Sequence, residues 1–392
     1  MDSQQIGIIN LIHSALTGKK YVLSEDFDFV SVYKYAKSHR IVPLVYYGIV
    51  NSQIQLDPQL NNQFFSDVCQ SMAVSQKQNY SLAKLSDEFE KNAIDFMPLK
   101  GSIIKEIYPK AEMRTMGDAD IIIRMEQYDK IVPILEEMGM QFVKENENEL
   151  AWNDAPFYLE LHRYLVSPQH KDYFKYFGDG WRFAKLAEGS QHRFVMSNED
   201  FYIYLFAHLT KHYRFSGIGI KHFVDIWVYL NTYPDLDMQY IEEEFKKLKM
   251  YDFHKNVVRT VKCWFEDGEC DESVDIITDK AFGSGAFGTK SSSQKAAAVK
   301  TLENSKVKNV KVNGFLRSAF LPYKNMCKLF PILKKVPVLL PFMWIWRLIY
   351  AVLFKRKKIK NLYENIGKVS NDEALEYKKE LEAVGLDYDF GK

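Results

Sequence analysis

The run DADIIIR, residues 118–124, joins two acids spaced one residue apart to an unbroken apolar stretch. Side chains of an extended strand alternate between its two faces, so Asp118 and Asp120 are predicted to share one face. Ile121 and Ile123 are expected to face a hydrophobic core. The run therefore predicts a strand of a packed sheet that carries paired carboxylates on one of its faces.

The sequence around this run alternates short apolar runs with helical patterns. IDFMPLK, QFVKE and FYLELHRYL have the pattern of strands, and SIIKEIY and YDKIVPILEEMGM that of helices. Helical spacing also dominates before residue 90 and after HRFVMS. We therefore predict an α+β fold in which a small mixed sheet, residues 91–196, is embedded in helical regions 1–90 and 197–392.

The paired acids indicate a metal site. Mg²⁺ prefers hard oxygen ligands and usually takes one or two carboxylates together with substrate phosphates, and Mn²⁺ is an alternative ion. Glu160, in the strand-like run FYLELHRYL, is the candidate third ligand of a two-metal arrangement. Because a D-x-D pair is also common on solvated strands, the prediction depends on its context.

A glycine turn upstream of the acids supplies that context. Gly101 and Ser102 follow an apolar strand and precede a helical pattern, where backbone N–H groups can meet phosphate oxygens. Lys100 and Arg114 add positive charge on either side. A K-G-S sequence alone can be a simple turn, but the D-x-D pair sixteen residues after Ser102 makes a nucleotide phosphate site the stronger interpretation.

These motifs resemble those of a known family. LKG, YP, R and GDADI, followed by LELH, are similar to the bacterial uncharacterised nucleotidyltransferase family of the DNA polymerase β-like superfamily. The resemblance extends to the helical lead AKSHRIVPLVYYGI and to HLTKHYRFSGIGIKHFVDIW. It implies a nucleotidyltransferase core in which the metal ligands are Asp118, Asp120 and Glu160, and the nucleotide phosphates meet Lys100, Gly101 and Ser102.

A histidine and lysine cluster follows in the segment 206–227. His208 and His212 stand at i and i+4 on one predicted helix, and Lys221 and Asp225 repeat this spacing on the next. HLTKH lacks the glutamate of H-E-x-x-H, so zinc is disfavoured. The histidines could simply form core hydrogen bonds. The functional interpretation is that His208, Lys211, His212 and Lys221 face the triphosphate or the acceptor, with Asp225 as an orienting group, a base or a surface ion-pair partner.

The C-terminal region is basic. Residues 301–360 contain 14 Lys and Arg against one acid, Glu303, although the net charge of the whole chain is only +1. Within this region, residues 337–354 are almost entirely apolar. We considered a membrane span, disfavoured by Arg347 and two prolines, and a peripheral membrane contact. A buried packing helix is the favoured interpretation.

Two further features bear on cellular context and cofactors. The four cysteines lack C-x-x-C spacing, so a disulfide framework is not expected. The N-terminus does not resemble a signal peptide, which favours the cytoplasm, with peripheral membrane association as an option. Residues 282–294 satisfy G-x-G-x-x-G by count, but they lack the surrounding βαβ pattern and are predicted to form a loop.

The sequence thus predicts Mg²⁺-dependent transfer of a nucleotidyl group to a small-molecule, peptide or protein acceptor. AMP from ATP is the favoured nucleotidyl group. Kinase-like phosphoryl transfer needs the same metals and is the alternative within the enzyme class. A non-catalytic membrane-associated binding protein is a further alternative. Nucleic acid is a less favoured partner because an RNA-binding module is not evident in the sequence.

Overall fold

The computed structural model describes residues 1–24, 26–286, 288–303, 316, 319–354 and 369–386. The chain divides into two units. The first contains residues 1–213, 217–288 and 384–392, and the second contains residues 214–216 and 289–383.

Helices precede the sheet, in keeping with the helical pattern of residues 1–90: α1 (Ser3–Thr17), α2 (Phe29–His39), α3 (Val42–Asn51) and α4 (Pro58–Lys91). Helix α1 begins with a capping box in which the Asp2 side chain accepts from the Gln5 backbone N–H. Helices α1 and α3 approach closely at Gly48, where an added Cβ would lie 1.9 Å from the Leu11 carbonyl oxygen. A side chain at this position would therefore push the two helices apart.

The central sheet has five strands, β1 (Phe96–Leu99), β2 (Ala119–Ile123), β3 (Gln141–Glu145), β4 (Glu149–Asp154) and β5 (Phe157–His162). Their spatial order is β1-β2-β5-β4-β3. Strands β2 and β5 are parallel, whereas the other neighbouring pairs are antiparallel. The sheet is therefore mixed, and the predicted α+β class is confirmed.

One face of this sheet forms a hydrophobic core. Ile121 and Ile123 of β2 are buried there, as predicted, and so are Leu159 and Leu161 of β5. Helix α4 and helix α6 (Tyr128–Glu137) cover this face. Full burial of each such side chain contributes about 1.5–3 kcal/mol. Because side chains alternate, fixing the apolar residues on this face directs their polar neighbours to the other.

The first unit contains further elements, one of which connects β1 to β2 while the others follow β5. They are α5 (Gly101–Ile104), α7 (Lys171–Phe177), β6 (Lys185–Leu186), β7 (Phe194–Val195), α8 (Asn198–Phe215), α9 (Ile220–Thr232), α10 (Met238–Lys247), α11 (Tyr251–Phe265) and α12 (Glu272–Gly283). Helix α8 runs across the division between the units, since residues 214–216 belong to the second. Its first turn is capped by Ser197, whose Oγ accepts from the Asp200 backbone N–H at 3.1 Å.

Two sequence expectations in this region are wrong. Cys263 and Cys270 form a disulfide that closes the turn after α11, although their spacing gave no such indication. The loop predicted for residues 282–294 is shorter, because α12 continues to Gly283 and a new helix begins at Lys290. Helix propensity of the SSSQKAAA segment, with its three alanines, explains the early start.

The second unit contains α13 (Lys290–Glu303), α14 (Tyr323–Leu329), α15 (Leu340–Phe354) and α16 (Asn371–Ala383). Helices α13 and α16 pack against each other. The expectation that 337–354 is a buried packing helix is wrong for one face of α15, where Phe342 and Trp346 are 66% and 59% exposed. Within the described residues, every helix is too short or too polar to cross a membrane.

Candidate metal and nucleotide site

The pairing of β2 with β5 brings the predicted acids together. Asp120 is in register with Glu160, and Ile122 with His162, on parallel neighbouring strands. Residues in register on adjacent strands present their side chains to the same face. Asp120, Glu160 and His162 therefore stand side by side on the face opposite the hydrophobic core, and one ligand atom from each lies within 4.8 Å of the others.

Asp120 is the most constrained acid of the group. Its side chain is buried, and Oδ1 accepts from Lys100 Nζ at 2.6 Å and lies 2.7 Å from His162 Nε2. Burial alone would raise the pKa of Asp120, but the charge of Lys100 and the bond from His162 hold that pKa well below its usual range. Asp120 is thus a permanent carboxylate with a fixed orientation.

His162 was not singled out from the sequence. Its Nδ1 lies 3.1 Å from the Asn148 amide nitrogen, so Nδ1 accepts and Nε2 carries the proton that is donated to Asp120. Nε2 also lies 3.8 Å from Glu160. The same period-two argument that paired Asp118 with Asp120 also puts His162 on the face of Glu160, and it could have identified this residue in LELH.

Asp118 and Glu160 concentrate negative charge beside Asp120. Asp118 directly precedes β2, two residues from Asp120, and burial followed by the charge of Asp120 raises its pKa. Burial, followed by repulsion from Glu149, Asp118 and Asp120, raises the pKa of Glu160 to about 7. Such crowding of carboxylates is unfavourable unless a cation compensates it. The donor set of carboxylate oxygens fits a hard divalent ion.

Lys100 joins β1 to α5 with an unusual backbone. Its φ of +46° lies in the left-handed region, which side-chain-bearing residues rarely adopt. A Cβ added to Gly101 would lie 3.1 Å from the Met116 side chain, so this turn has little room for a larger residue. Lys100 and Gly101 border the cavity described next, whereas the buried Ser102 hydroxyl points at Met116 Sδ, 3.9 Å away.

A cavity of about 580 Å³ opens in front of the acids. Its walls come from the β1–α5 turn, the strands β2 and β5, the β3–β4 turn, and helices α8 and α9. The lining includes these residues predicted from the sequence: Lys100, Gly101, Arg114, Asp118, Asp120, Glu160, His208, Lys211, His212 and Lys221. His222 and Glu149 also line it. A single cavity therefore has an acidic wall and a basic wall.

The basic wall is formed by His208, Lys211 and His212 of α8 and by Lys221 and His222 of α9. The rings of His208 and His212 lie 4.5 Å apart. Burial, followed by the charge of Arg114, lowers the pKa of Lys221 to about 7, and burial followed by the charge of Lys100 lowers that of Lys211 to about 8. An anion in the cavity would stabilise the charged forms of these groups.

Asp225 lies behind the cavity wall and is fully buried. It accepts two hydrogen bonds from the Arg114 guanidinium, at 2.6 and 2.8 Å, and one from the Tyr108 hydroxyl at 2.8 Å. Lys221, which we expected Asp225 to orient, instead donates to the Thr115 carbonyl oxygen at 3.2 Å. Asp225 is therefore not a surface ion-pair partner, which was one interpretation of its spacing from Lys221. Its structural role is to hold Arg114.

The comparisons with known proteins agree with this arrangement. A family model described as uncharacterised nucleotidyltransferase matches residues 25–266. This span covers more than half of the 392 residues and includes the sheet and both walls of the cavity. Nothing among the curated proteins or the solved structures matches the chain significantly. The chain belongs to the uncharacterised nucleotidyltransferase family and is, accordingly, a transferase of nucleotidyl groups.

Proposed function

We propose that this protein transfers AMP from ATP to an acceptor hydroxyl or phosphate, using Mg²⁺ bound by Asp118, Asp120 and Glu160. The observation that carries the proposal is the opposition of these acids to a basic wall across one cavity. The phosphates of a nucleoside triphosphate carry several negative charges that must be neutralised during in-line displacement. Metal ions on the acidic wall and cationic side chains on the basic wall would together neutralise them.

The acidic wall would hold the metal. Asp120 and Glu160 offer carboxylate oxygens on one face of adjacent strands, and Asp118, directly before β2, lines the same cavity. Two ions are the expected number, with Mn²⁺ as a substitute. When bound, the ions would neutralise charge on the phosphates and favour ionisation of the attacking oxygen. His162 and Lys100 would keep the Asp120 carboxylate in place through its Oδ1.

The basic wall would receive the phosphates. Lys211 and Lys221 supply ammonium groups, and His208 and His212 supply ring nitrogens that can donate hydrogen bonds. Arg114 borders the same cavity with its orientation fixed by Asp225. Because these cationic groups line the cavity before a nucleotide binds, we expect catalysis by positioning and charge neutralisation, without a covalent intermediate.

Two labels of ATP separate nucleotidyl transfer from the kinase-like alternative. The purified protein would be incubated with Mg²⁺, candidate acceptors and ATP labelled at either the α- or the γ-phosphorus. We expect the α-label to appear on the acceptor and pyrophosphate to be released. Transfer of the γ-label would contradict nucleotidyl transfer and support phosphoryl transfer.

Matched variants connect the activity to the site. Asp120→Asn keeps the shape of the side chain and should lower kcat by about 100-fold or more, because one preorganised charge is lost. Asp154→Asn is the control, since Asp154 also lies on a strand of the sheet but forms a part-exposed ion pair with Lys77 at 2.7 Å. Equal loss of activity in the two variants would contradict the assignment.

A further inference from the structure

One face of α15 is apolar and open to water. Five of its side chains are between 49% and 66% exposed: Phe342, Ile345, Trp346, Ile349 and Leu353. Their spacing of three and four residues puts them on one side of the helix, and we call this set the apolar face. Soluble proteins rarely leave a contiguous set of large apolar side chains exposed, so the apolar face indicates an interaction surface.

The opposite side of α15 is anchored within the second unit. It packs on a small core made of Met326, Cys327 and Leu333, to which Leu340, Met343 and Trp344 contribute. Trp344 Nε1 donates to the Leu321 carbonyl oxygen at 2.9 Å, and an Arg347 guanidinium nitrogen donates to that of Ala319 at 3.1 Å. These contacts fix the rotation of the helix about its axis, so the exposure of the apolar face follows from the packing.

Exposed apolar side chains continue in the segment just before α15. Leu329, Ile332, Val336 and Val338 are 55%, 50%, 42% and 79% exposed. Lysines are interspersed with them in the sequence, at 324, 328, 334 and 335, and all four are exposed. An apolar surface accompanied by exposed lysines is typical of proteins that rest in the headgroup region of a bilayer.

The charge of the surrounding sequence indicates which kind of surface the apolar face would contact. Residues 304–363 contain 14 Lys and Arg and not one Asp or Glu. Such a segment is attracted to anionic lipid, whose surface potential adds a favourable term for each basic residue. An acidic protein partner would satisfy the charges, but it would have to present an apolar surface that matches the aromatic side chains as well.

We propose that the apolar face of α15 inserts into the headgroup region of an anionic lipid bilayer, with the neighbouring basic residues at the phosphate level. The helix would lie in the plane of the membrane. Its 15 residues span only about 22 Å, less than the roughly 30 Å of a hydrocarbon core. This inference does not depend on the proposed reaction, because it rests on the second unit alone.

Flotation of the full-length protein with vesicles tests the proposal. We expect binding to phosphatidylcholine vesicles that contain about one third phosphatidylglycerol, and weaker binding to phosphatidylcholine alone or in about 0.5 M NaCl. Trp346→Ser combined with Ile349→Ser should weaken binding to anionic vesicles by about tenfold or more, because two inserted side chains are lost. Phe65→Ser is the matched control, since Phe65 is 55% exposed on α4.

A second variant tests the electrostatic part without changing the apolar face. Lys334→Gln combined with Lys335→Gln should weaken binding by about fivefold for each charge. Unchanged binding of both double variants, or equal binding to neutral and anionic vesicles, would overturn the proposal. So would concentration-dependent dimerisation without lipid that the Trp346 and Ile349 substitutions abolish, because a second copy would then cover the apolar face. Far-ultraviolet circular dichroism would verify that every variant is folded.

Discussion

Replacement of Asp225 by Asn tests whether the buried ion pair with Arg114 maintains the cavity wall. Asn preserves the size of the side chain but removes its charge and one of the two acceptors that the guanidinium uses. Asp225 is fully buried and the Arg114 side chain is only 8% exposed. Arg114 would therefore retain its positive charge after losing the carboxylate that accepts two of its hydrogen bonds.

The expected loss of stability is large. Removing one partner of a buried ion pair costs about 3–5 kcal/mol, because the remaining charge stays desolvated. The two short contacts, 2.6 and 2.8 Å, and the additional bond from Tyr108 favour the upper part of this range. At about 2 °C per kcal/mol for a unit of this size, the Tm should fall by about 8–10 °C.

Differential scanning calorimetry provides the measurement, and two variants provide controls. Glu88→Gln removes a solvent-exposed pair with Lys91 of similar length, 2.7 Å, and should leave the Tm close to that of the wild type. Arg114→Met combined with Asp225→Leu removes both charges and should recover much of the stability, without recovering nucleotide binding. A decrease in Tm of less than about 2 °C for Asp225→Asn would refute the reasoning.

Three further predictions follow from burial and packing. Gly48→Ala should destabilise the protein by about 1–3 kcal/mol, because the added Cβ would meet the Leu11 carbonyl oxygen at 1.9 Å. Gly283 has open space around it, so Gly283→Ala should not destabilise the protein. Equal unfolding free energies of the two variants would contradict the packing argument. Burial lowers the pKa of His254 to about 3, so its contribution is present above the unfolded pKa of about 6.5 and is lost as the pH falls below it. Between pH 7.5 and 5 the wild type should lose about 2 kcal/mol more than His254→Phe in urea denaturation, and equal losses would show that this histidine is not the cause. Lys221→Met should raise the KM for the nucleotide about 10–100-fold while leaving the Tm equal or higher, because it removes a buried charge; an unchanged KM in steady-state assays would remove Lys221 from the site.

Local periodicity was sufficient to predict the strands that carry the candidate site. The alternation in DADIIIR predicted that Asp118 and Asp120 share a face, and the run around Glu160 predicted a strand, because both depend only on the two-residue repeat of extended chain. The helical character of residues 1–90 was accessible because their apolar residues recur at spacings of three and four, and the start of α8 was accessible because Ser197 and Asp200 form a capping-box pattern.

Features that depend on strand order or on contacts between distant residues could not be predicted from the sequence. The sequence does not reveal that β5 lies beside β2 while β3 and β4 lie outside it, so the contact between His162 and Asp120 could not be predicted. Asp225 and Arg114 are separated by 111 residues, and their pairing is decided by how α9 packs against the loop before β2. The exposure of α15 was also missed, because an apolar sequence does not reveal which of its faces finds a partner.

Binding of Mn²⁺ measured by electron paramagnetic resonance tests the central claim most directly, because the signal of free Mn²⁺ falls as the ion binds. The wild type should bind Mn²⁺, and more tightly when ATP is present, since the phosphates supply further oxygen ligands. Removing the three carboxylates together, by Asp118→Asn, Asp120→Asn and Glu160→Gln, should abolish this binding while the Asp154→Asn control retains it. Unchanged Mn²⁺ binding by the triple variant would contradict the account, because the ion would then be held elsewhere.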